Sequence, residues 1–407
     1  MKKVFLVTKM KTSNLGNEAL SKELIKLFVE KVGKENLYVE GRPLGLYAYS
    51  MESLESSKTP EVLFDSWADA VIKKYRTLNV DRPFVAKVND FKLTRLTAMK
   101  FEGIKTFLRP VKRLLKRVSL FDKTYANRLA AINSCDVFIY SGAGEVTDNH
   151  VFLRQLLELR IAQKLGKQTG AVNQSLVVRT EMFKKIVNLV YGKMDQIVVR
   201  GAISKANIAS FGVNDKIIHI APDTAIRTTP DSFLNKNKGT VGINFTPFIK
   251  YEWSDVAAVV NKLKACNKKI IFVTNEPLGD LQIIEKFKTD FDIDVLEECN
   301  DYKDFAKHLS SLEYIVSARL HTNVMALAVN VPVIAIEGRV FKTKELIEQF
   351  EYPLPTVNVD EPGWANTLIG LIDIIESGKI DFTAYFRDIL VRHKEEVKYN
   401  ASWINNN

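Results

Sequence analysis

The sequence predicts an α/β protein built of two doubly wound domains, and three observations carry that prediction. Short, almost wholly apolar runs alternate with helix-period segments, which is the pattern of parallel strands buried on both faces. The alternation stops once, at RTTPDSFLNKNKG over 227–239, and then begins again. With 407 residues, 46% of them hydrophobic, the chain is long enough to bury two ordinary cores.

The first half opens on an apolar strand, Lys3 to Thr8, followed by a helix from about Asn17 to Val32. The basic flank Met1-Lys2-Lys3 precedes only Val4 to Val7, too short a run for a signal-peptide core. Strands follow at Asp136–Tyr140, Thr169–Val172, Gln196–Val199 and Ile217–Ile220, with helices at about Val151–Leu165 and Met182–Gly192 between them. After the linker come strands Val241–Phe245, Lys269–Thr274, Ile293–Leu296, Glu313–Ser317 and Val331–Ile336, with helices near Trp253–Ala265, Leu281–Phe287, Asp301–Leu312 and Thr322–Ala328. Trp364 to Val397 reads as one or two closing helices. The expected organisation is a first domain over 1–226, a linker over 227–239, a second domain over 240–375 and a C-terminal helical segment over 376–407. Two such halves would set a cleft between two sets of strand ends.

A basic, mainly helical insertion is expected in the first domain at about 42–133. Between Ala70 and Ala130 there are 16 Lys and Arg against 4 Asp and Glu, more than the whole formal charge of +10. Ile104, Phe107, Leu108, Val111, Leu114, Leu115 and Val118 recur at spacings of three and four, with Lys and Arg on the other face. That is a basic amphipathic helix, which fits either packing on its own domain or an anionic membrane surface. Stacking aromatics are not interleaved and no nucleic-acid module is matched, so nucleic acid is not an expected partner. No apolar stretch nears the roughly 18 residues a membrane span needs.

Cys135, Cys266 and Cys299 are far apart, and the five histidines form no His-x-x-x-His pair, so neither a disulfide framework nor a metal is expected. The composition reads as a reduced, cytoplasmic protein, with peripheral attachment at the inner membrane face left open by the basic helix.

Several strand ends carry residues suited to ligand binding. Asn14 and Gly16 lie in the loop after the first strand, which supplies a helix cap and a close-approach glycine. It lacks both the Walker pattern and G-x-G-x-x-G. Ser141-Gly142-Ala143-Gly144-Glu145 follows the strand Asp136–Tyr140, and its glycines admit a ligand or a neighbouring backbone; His150 lies just beyond. Arg200 follows the strand Gln196–Val199, with Ser204 placed to cap a short helix. An arginine there suits phosphate or carboxylate. Asp223, after Pro222, reads as a turn residue. Arg319 and His321 sit between the strand Glu313–Ser317 and the following helix, where an open parallel sheet binds its ligands and a helix start favours an anion. Lys342, in the loop after Val331–Ile336, offers a second cation.

In order along the chain, these segments resemble the polysaccharide pyruvyl transferase family. The resemblance rests on Asn-x-Gly-x-Glu-Ala at Asn14 to Ala19, the glycine loop Ser141 to Glu145, AQKLGKQTGAVNQS at Ala162 to Ser175, Arg200-x-x-x-Ser204, Pro222-Asp223, SARLHTNVMALAVNVPVIAIE at Ser317 to Glu337, and Lys342. It runs from about Lys3 to Phe350. The chain departs from the family's usual residues at Asn17, Gly201 and Leu176-Val177.

The resemblance implies two Rossmann-like domains in a GT-B-like arrangement and an enzyme that moves the enolpyruvyl unit of phosphoenolpyruvate onto a sugar, usually as a cyclic ketal. It implies no cofactor, since phosphoenolpyruvate is the donor substrate, and a sugar acceptor that a membrane-edge protein would meet as a lipid-linked intermediate. Carried onto this chain, it puts Arg200, Arg319 and His321 at the donor site, with His321 as general acid or base and Ser204, Asn14, Gly16, Gly142, Gly144, Glu145 and Lys342 in support. Two other readings stay open. One is a GT-B glycosyltransferase that uses a nucleotide sugar; the other is an inactive homologue that binds glycan.

Overall fold

The structure is a computed structural model that describes residues 1–9, 12–41, 51–75, 120–142, 146–338 and 340–404. The basic helix predicted around Ile104–Val118, and Gly144 and Glu145 of the glycine loop, lie outside the described residues. The chain divides into two compact units: Met1–Lys11, Leu24–Ala221 and Lys398–Asn407 form one, and Thr12–Glu23 with Pro222–Val397 form the other. The loop of Asn14 and Gly16 therefore counts with the second unit, as does the stretch 227–239.

The first unit holds a six-stranded sheet of β1 (Val4–Val7), β2 (Leu37–Glu40), β3 (Val137–Ser141), β4 (Gln168–Gln174), β5 (Gln196–Val199) and β6 (Ile218–Ile220). Its order is β2-β1-β3-β4-β5-β6, and every recorded pairing is parallel. Strands β1 and β3 are buried along their whole length, as expected where helices cover both faces. The covering helices include α1 (Leu15–Val32), split between the units, then α2 (Met51–Glu55), α3 (Pro60–Tyr75), α4 (Leu120–Ser134), α5 (His150–Lys164), α6 (Glu181–Tyr191) and α7 (Ala202–Ser210). The Asn149 side chain accepts hydrogen bonds from the first N–H groups of α5, which fixes where that helix starts. His150 is exposed in its first turn. Glu158, fully buried on α5, is paired with Arg128 at 3.0 Å and accepts from the Tyr140 hydroxyl at 2.5 Å, so its charge is not left alone.

The second unit repeats the plan with β7 (Thr240–Asn244), β8 (Lys269–Phe272), β9 (Asp294–Val295), β10 (Tyr314–Ser317), β11 (Val333–Glu337) and β12 (Val357–Asn358), in the order β12-β11-β10-β7-β8-β9. Its helices include α8 (Trp253–Ala265), α9 (Pro277–Phe291), α10 (Tyr302–Leu309), α11 (Leu320–Ala328), α12 (Lys342–Gln349) and α13 (Trp364–Glu376). Phe287 of α9 is packed by Phe245, Phe272 and Trp253, with ring centroids 5.1–5.4 Å away. Burying an aromatic side chain of this kind contributes about 1.5–3 kcal/mol.

Strand order reverses between β1 and β3 in the first sheet and between β10 and β7 in the second. Loops leaving the carboxyl ends of two such strands diverge and open a crevice, the usual binding position in an open α/β sheet. In the second sheet the switch point lies at the paired residues Ser317 and Asn244.

Three sequence expectations are refined. Lys342, expected in a loop, begins α12, and the helix after β10 starts at Leu320, so His321 lies inside its first turn. The closing segment is broken by Gly378, at φ 64°, into α13 and shorter helical pieces. The last of these seats the Trp403 ring against Gly170 of β4, where an added Cβ would stand 2.5 Å from the indole. Among the described residues no helix is long and apolar enough to cross a membrane.

Candidate functional site

The turn from β10 into α11 is braced by its own sequence. The Ser317 hydroxyl accepts the Arg319 N–H at 3.2 Å, and the Asn323 amide donates to the Ser317 carbonyl at 3.2 Å. Arg319 takes the cap position with extended backbone, φ −98° and ψ 118°. Residues 321–328 are all buried, so His321 is held by a helix with no freedom to roll.

His321 is 9% exposed, and its Nε2 is buried without a hydrogen-bond partner. The nearest anion is the Asp223 carboxylate: Oδ2 stands 3.6 Å from Nε2, just beyond hydrogen-bond range. Asp223 follows β6, is 1% exposed, and accepts the Ala225 N–H at 2.9 Å. On another side the ring meets backbone. A Cβ built on Gly16 would fall 2.2 Å from the His321 Cβ and 2.8 Å from Nδ1, so only glycine lets α1 approach this closely.

Asn14 fixes that approach. Its side-chain oxygen accepts the Asn17 N–H at 3.0 Å, capping α1, and the Asn275 amide at 2.9 Å. Its own amide donates to Glu276 at 3.0 Å, while the Leu15 N–H reaches the Asn275 carbonyl at 2.8 Å. Thr322, next to His321, donates to the Asn275 side chain at 3.2 Å. The loop after β8 thus ties the Asn14 loop to α11.

Arg319 proves to be engaged already. One terminal nitrogen donates to Glu276 at 2.8 Å and the other to Asp280, whose second oxygen accepts the Thr274 hydroxyl at 2.6 Å. Two carboxylates against one guanidinium leave this corner without excess positive charge. Burial pushes the Asp280 carboxyl above its ordinary range, and Arg319 opposes that push. The Arg319 Nε is buried and unpartnered. Phe248, in the loop after β7, lies with its ring centroid 5.1 Å from the guanidinium and is 72% exposed.

In the first unit Arg200 leaves β5 almost fully buried, and its Nε donates to the Ser175 hydroxyl at 2.9 Å. Ser204 is fully buried and accepts the Leu176 N–H at 3.2 Å. Near the end of β4 the register shifts, with Asn173 at φ 53°, a left-handed conformation that asparagine tolerates. Gly142 answers that irregularity. An added Cβ would lie 2.3 Å from the Asn173 carbonyl, so this glycine makes room for a neighbouring strand.

Comparison with known proteins places this geometry. The sequence model described as "Polysaccharide pyruvyl transferase" matches residues 14–338. The chain belongs to the polysaccharide pyruvyl transferase family. The family match supports a transferase activity in polysaccharide biosynthesis. No curated protein matches the chain in sequence.

Similar solved structures bear on the fold alone. A Listeria monocytogenes protein assigned as UDP-N-acetylglucosamine 2-epimerase gives a TM-score of 0.55 at 14% identity, covering 98% of this chain and 94% of that one. Anabaena HepE in complex with UDP-glucose gives 0.52 at 11%, covering 99% and 100%. An Arabidopsis thaliana protein complexed with UDP-L-rhamnose gives 0.51 at 12%, covering 98% and 97%. The fold is thus of the two-domain, Rossmann-like GT-B class.

The family match takes in Asn14, Gly16, Arg200, Ser204, Arg319 and His321 and stops short of Lys342. The structure joins Asn14, Gly16, Arg319 and His321 in the second unit, and Arg200 and Ser204 around Ser175 and Leu176 in the first. Reading the sequence missed Asp223 as a partner of His321, and missed Asn275, Glu276, Asp280 and Phe248 altogether. A usable signal existed for two of them. Asn275-Glu276-Pro277 stands between an apolar run and a helix with proline at its start, the same strand-end position that drew attention to Arg319.

Proposed function

We propose that the chain transfers the enolpyruvyl unit of phosphoenolpyruvate to a sugar of a bacterial cell-surface polysaccharide or its lipid-linked precursor, closing a cyclic ketal on two hydroxyls. One observation carries the reading beyond the family: the buried, unpartnered Nε2 of His321 beside the Asp223 carboxylate, at the switch point of the second sheet.

The reaction needs one proton delivered to C3 of phosphoenolpyruvate, which leaves C2 electron-poor. A sugar hydroxyl oxygen then bonds C2 and releases its proton. Phosphate departs with the electrons of its bond to C2, and a second hydroxyl closes the ketal and releases another proton. His321 is the proposed proton carrier, because a histidine gives or takes a proton near neutral pH. Asp223 would orient the ring, as a buried acid does behind a catalytic histidine.

Arg200 is the proposed anion-binding arginine on the strand ends of the first unit, where its fork suits phosphate or carboxylate. Arg319, paired with Glu276 and Asp280, is assigned instead to hold the loop after β8 against α11. The exposed ring of Phe248 offers an apolar face to the acceptor sugar. Contact with an anionic membrane surface remains part of the reading, on the positive charge between Ala70 and Ala130, and brings the enzyme to a lipid-linked acceptor.

The test is phosphate release from phosphoenolpyruvate against free and lipid-linked glycosides, with products read by mass spectrometry. Acceptor-dependent phosphate release with a matching pyruvyl mass gain is expected. A folded protein that releases none across the panel overturns the reading. A second reading, transfer from a nucleotide sugar, draws support from fold similarity to proteins held in complex with UDP-glucose and UDP-L-rhamnose. The same panel run with nucleotide sugars would then release a nucleotide.

A further inference from the structure

Away from that site, the segment after β9 brings three different metal-binding groups together. The Cys299 thiol, an Asp304 carboxylate oxygen and a His308 ring nitrogen lie within 4.8 Å of one another. Asp304 and His308 are four residues apart on α10 and share one face of it. His308 Nε2 stands 3.6 Å from Asp304 Oδ1, too far for a hydrogen bond. The other carboxylate oxygen, Oδ2, accepts the backbone N–H of Asn300 at 3.0 Å and its side-chain amide at 3.2 Å. Asn300 thus fixes the carboxylate and leaves Oδ1 turned to the imidazole.

We propose that Cys299, Asp304 and His308 bind one Zn²⁺ ion, with water in the fourth position. Thiolate with imidazole and carboxylate is a donor set for zinc, whereas Mg²⁺ and Ca²⁺ take oxygen ligands. Tetrahedral zinc, with bonds of about 2.3 Å to sulfur and about 2.0 Å to nitrogen and oxygen, needs donors roughly 3.3–3.6 Å apart. The Asp304–His308 separation of 3.6 Å is at the upper end of that range, and the Cys299 thiol, which donates to the Glu297 carbonyl at 3.6 Å, would turn from that carbonyl to the ion. Cys299 is 4% exposed while Asp304 and His308 are partly exposed, so the ion has an entry path beside a sheltered sulfur. Asn300 supplies the outer hydrogen bonds that orient a ligating carboxylate. No local pattern announces such a site, since one cysteine, one aspartate and one histidine form neither a Cys-x-x-Cys nor a His-x-x-x-His pair. The ion would pin the segment before α10 to the helix, next to Tyr302, whose hydroxyl donates to Glu23 at 2.9 Å.

The test uses the full chain, stripped with chelator and titrated with Zn²⁺ alone, then with Co²⁺ as a spectroscopic stand-in. A single ion per chain, a rise in Tm on adding Zn²⁺, and a thiolate-to-cobalt charge-transfer band are expected. Cys299→Ser should abolish the band, while Cys266→Ser, at a cysteine outside the cluster, should keep it. His308→Gln, at a partly exposed helix position that tolerates substitution, should weaken binding at least about tenfold, and Asn300→Ala by roughly 10–100-fold. Substoichiometric Zn²⁺ uptake, a cobalt spectrum without a thiolate band, or affinity unchanged by both Cys299→Ser and His308→Gln overturns the proposal. None of these readouts depends on transferase activity.

Discussion

The backbone of Gly16 presses on the side chain of His321: a methyl group at Gly16 would sit 2.2 Å from the His321 Cβ. That contact joins a loop near the start of the chain to a histidine some three hundred residues later, and it sets where the imidazole points.

Gly16→Ala is therefore expected to displace the ring rather than unfold the protein. Overpacking of this kind costs about 1–3 kcal/mol, and a shift near 1 Å at a reacting group lowers turnover by about 10²-fold. Tm and kcat measured on the same preparation separate the two effects. A variant with wild-type kcat would show that the contact does not position His321.

The pair His321 and Asp223 leads to a graded expectation. His321→Ala should lower kcat by roughly 10²–10⁴-fold, the usual share of an acid-base residue. Asp223→Asn keeps the acceptor for the Ala225 N–H but removes the charge beside Nε2, and should lower kcat less than the histidine change. In the double variant the losses should fall short of additive, because both act on one proton. Full additivity would put the two residues in separate steps.

Arg319 illustrates a cation that sequence proximity presents as free and the fold presents as paired. Arg319→Ala leaves the buried Asp280 carboxylate uncompensated, and breaking a buried pair from one side costs about 3 kcal/mol. Adding Asp280→Asn should recover part of that loss. If Arg319→Ala lost activity at unchanged Tm, a direct role on substrate would replace the holding role assigned above.

The alternation of strands and helices was legible because strands buried on both faces are apolar throughout, as in VFLV at Val4–Val7 and YIVS at Tyr314–Ser317. The edge strands Leu37–Glu40, buried only at alternate positions, and Val357–Asn358, two residues long, are not expected from the sequence. The start of helix α12 carries no sequence signal, because Phe341, at its cap position, provides no capping side chain. Arg319 and His321 stood out as a cation and an imidazole at one strand end. Asp223 did not, since an aspartate after proline reads as a turn. What makes it a partner is the approach of two side chains 98 positions apart in the chain, which only the fold creates. The same holds for Cys299, Asp304 and His308, whose convergence depends on how α10 starts.

Glu337, at the end of β11, leads to a stability prediction with a definite sign. It is 7% exposed, and burial raises its carboxyl from 4.5 to about 7, against the opposing backbone N–H groups of Lys344 and Thr343. Between those two values the folded chain holds a proton that the unfolded chain has released, so the folded state binds more protons and its stability falls as pH rises. The contribution is complete below the lower value and lost above the upper one, and it amounts to about 3 kcal/mol at most. Glu337→Gln keeps an oxygen for the Lys344 N–H, which the carboxylate accepts at 2.5 Å, and cannot ionise. Urea unfolding at about pH 5 and about pH 8 should therefore show the wild type losing roughly 2–3 kcal/mol more than the variant across that interval. Parallel pH dependence in the two proteins would mean that Glu337 ionises without cost, and that the end of β11 is better solvated than its burial implies.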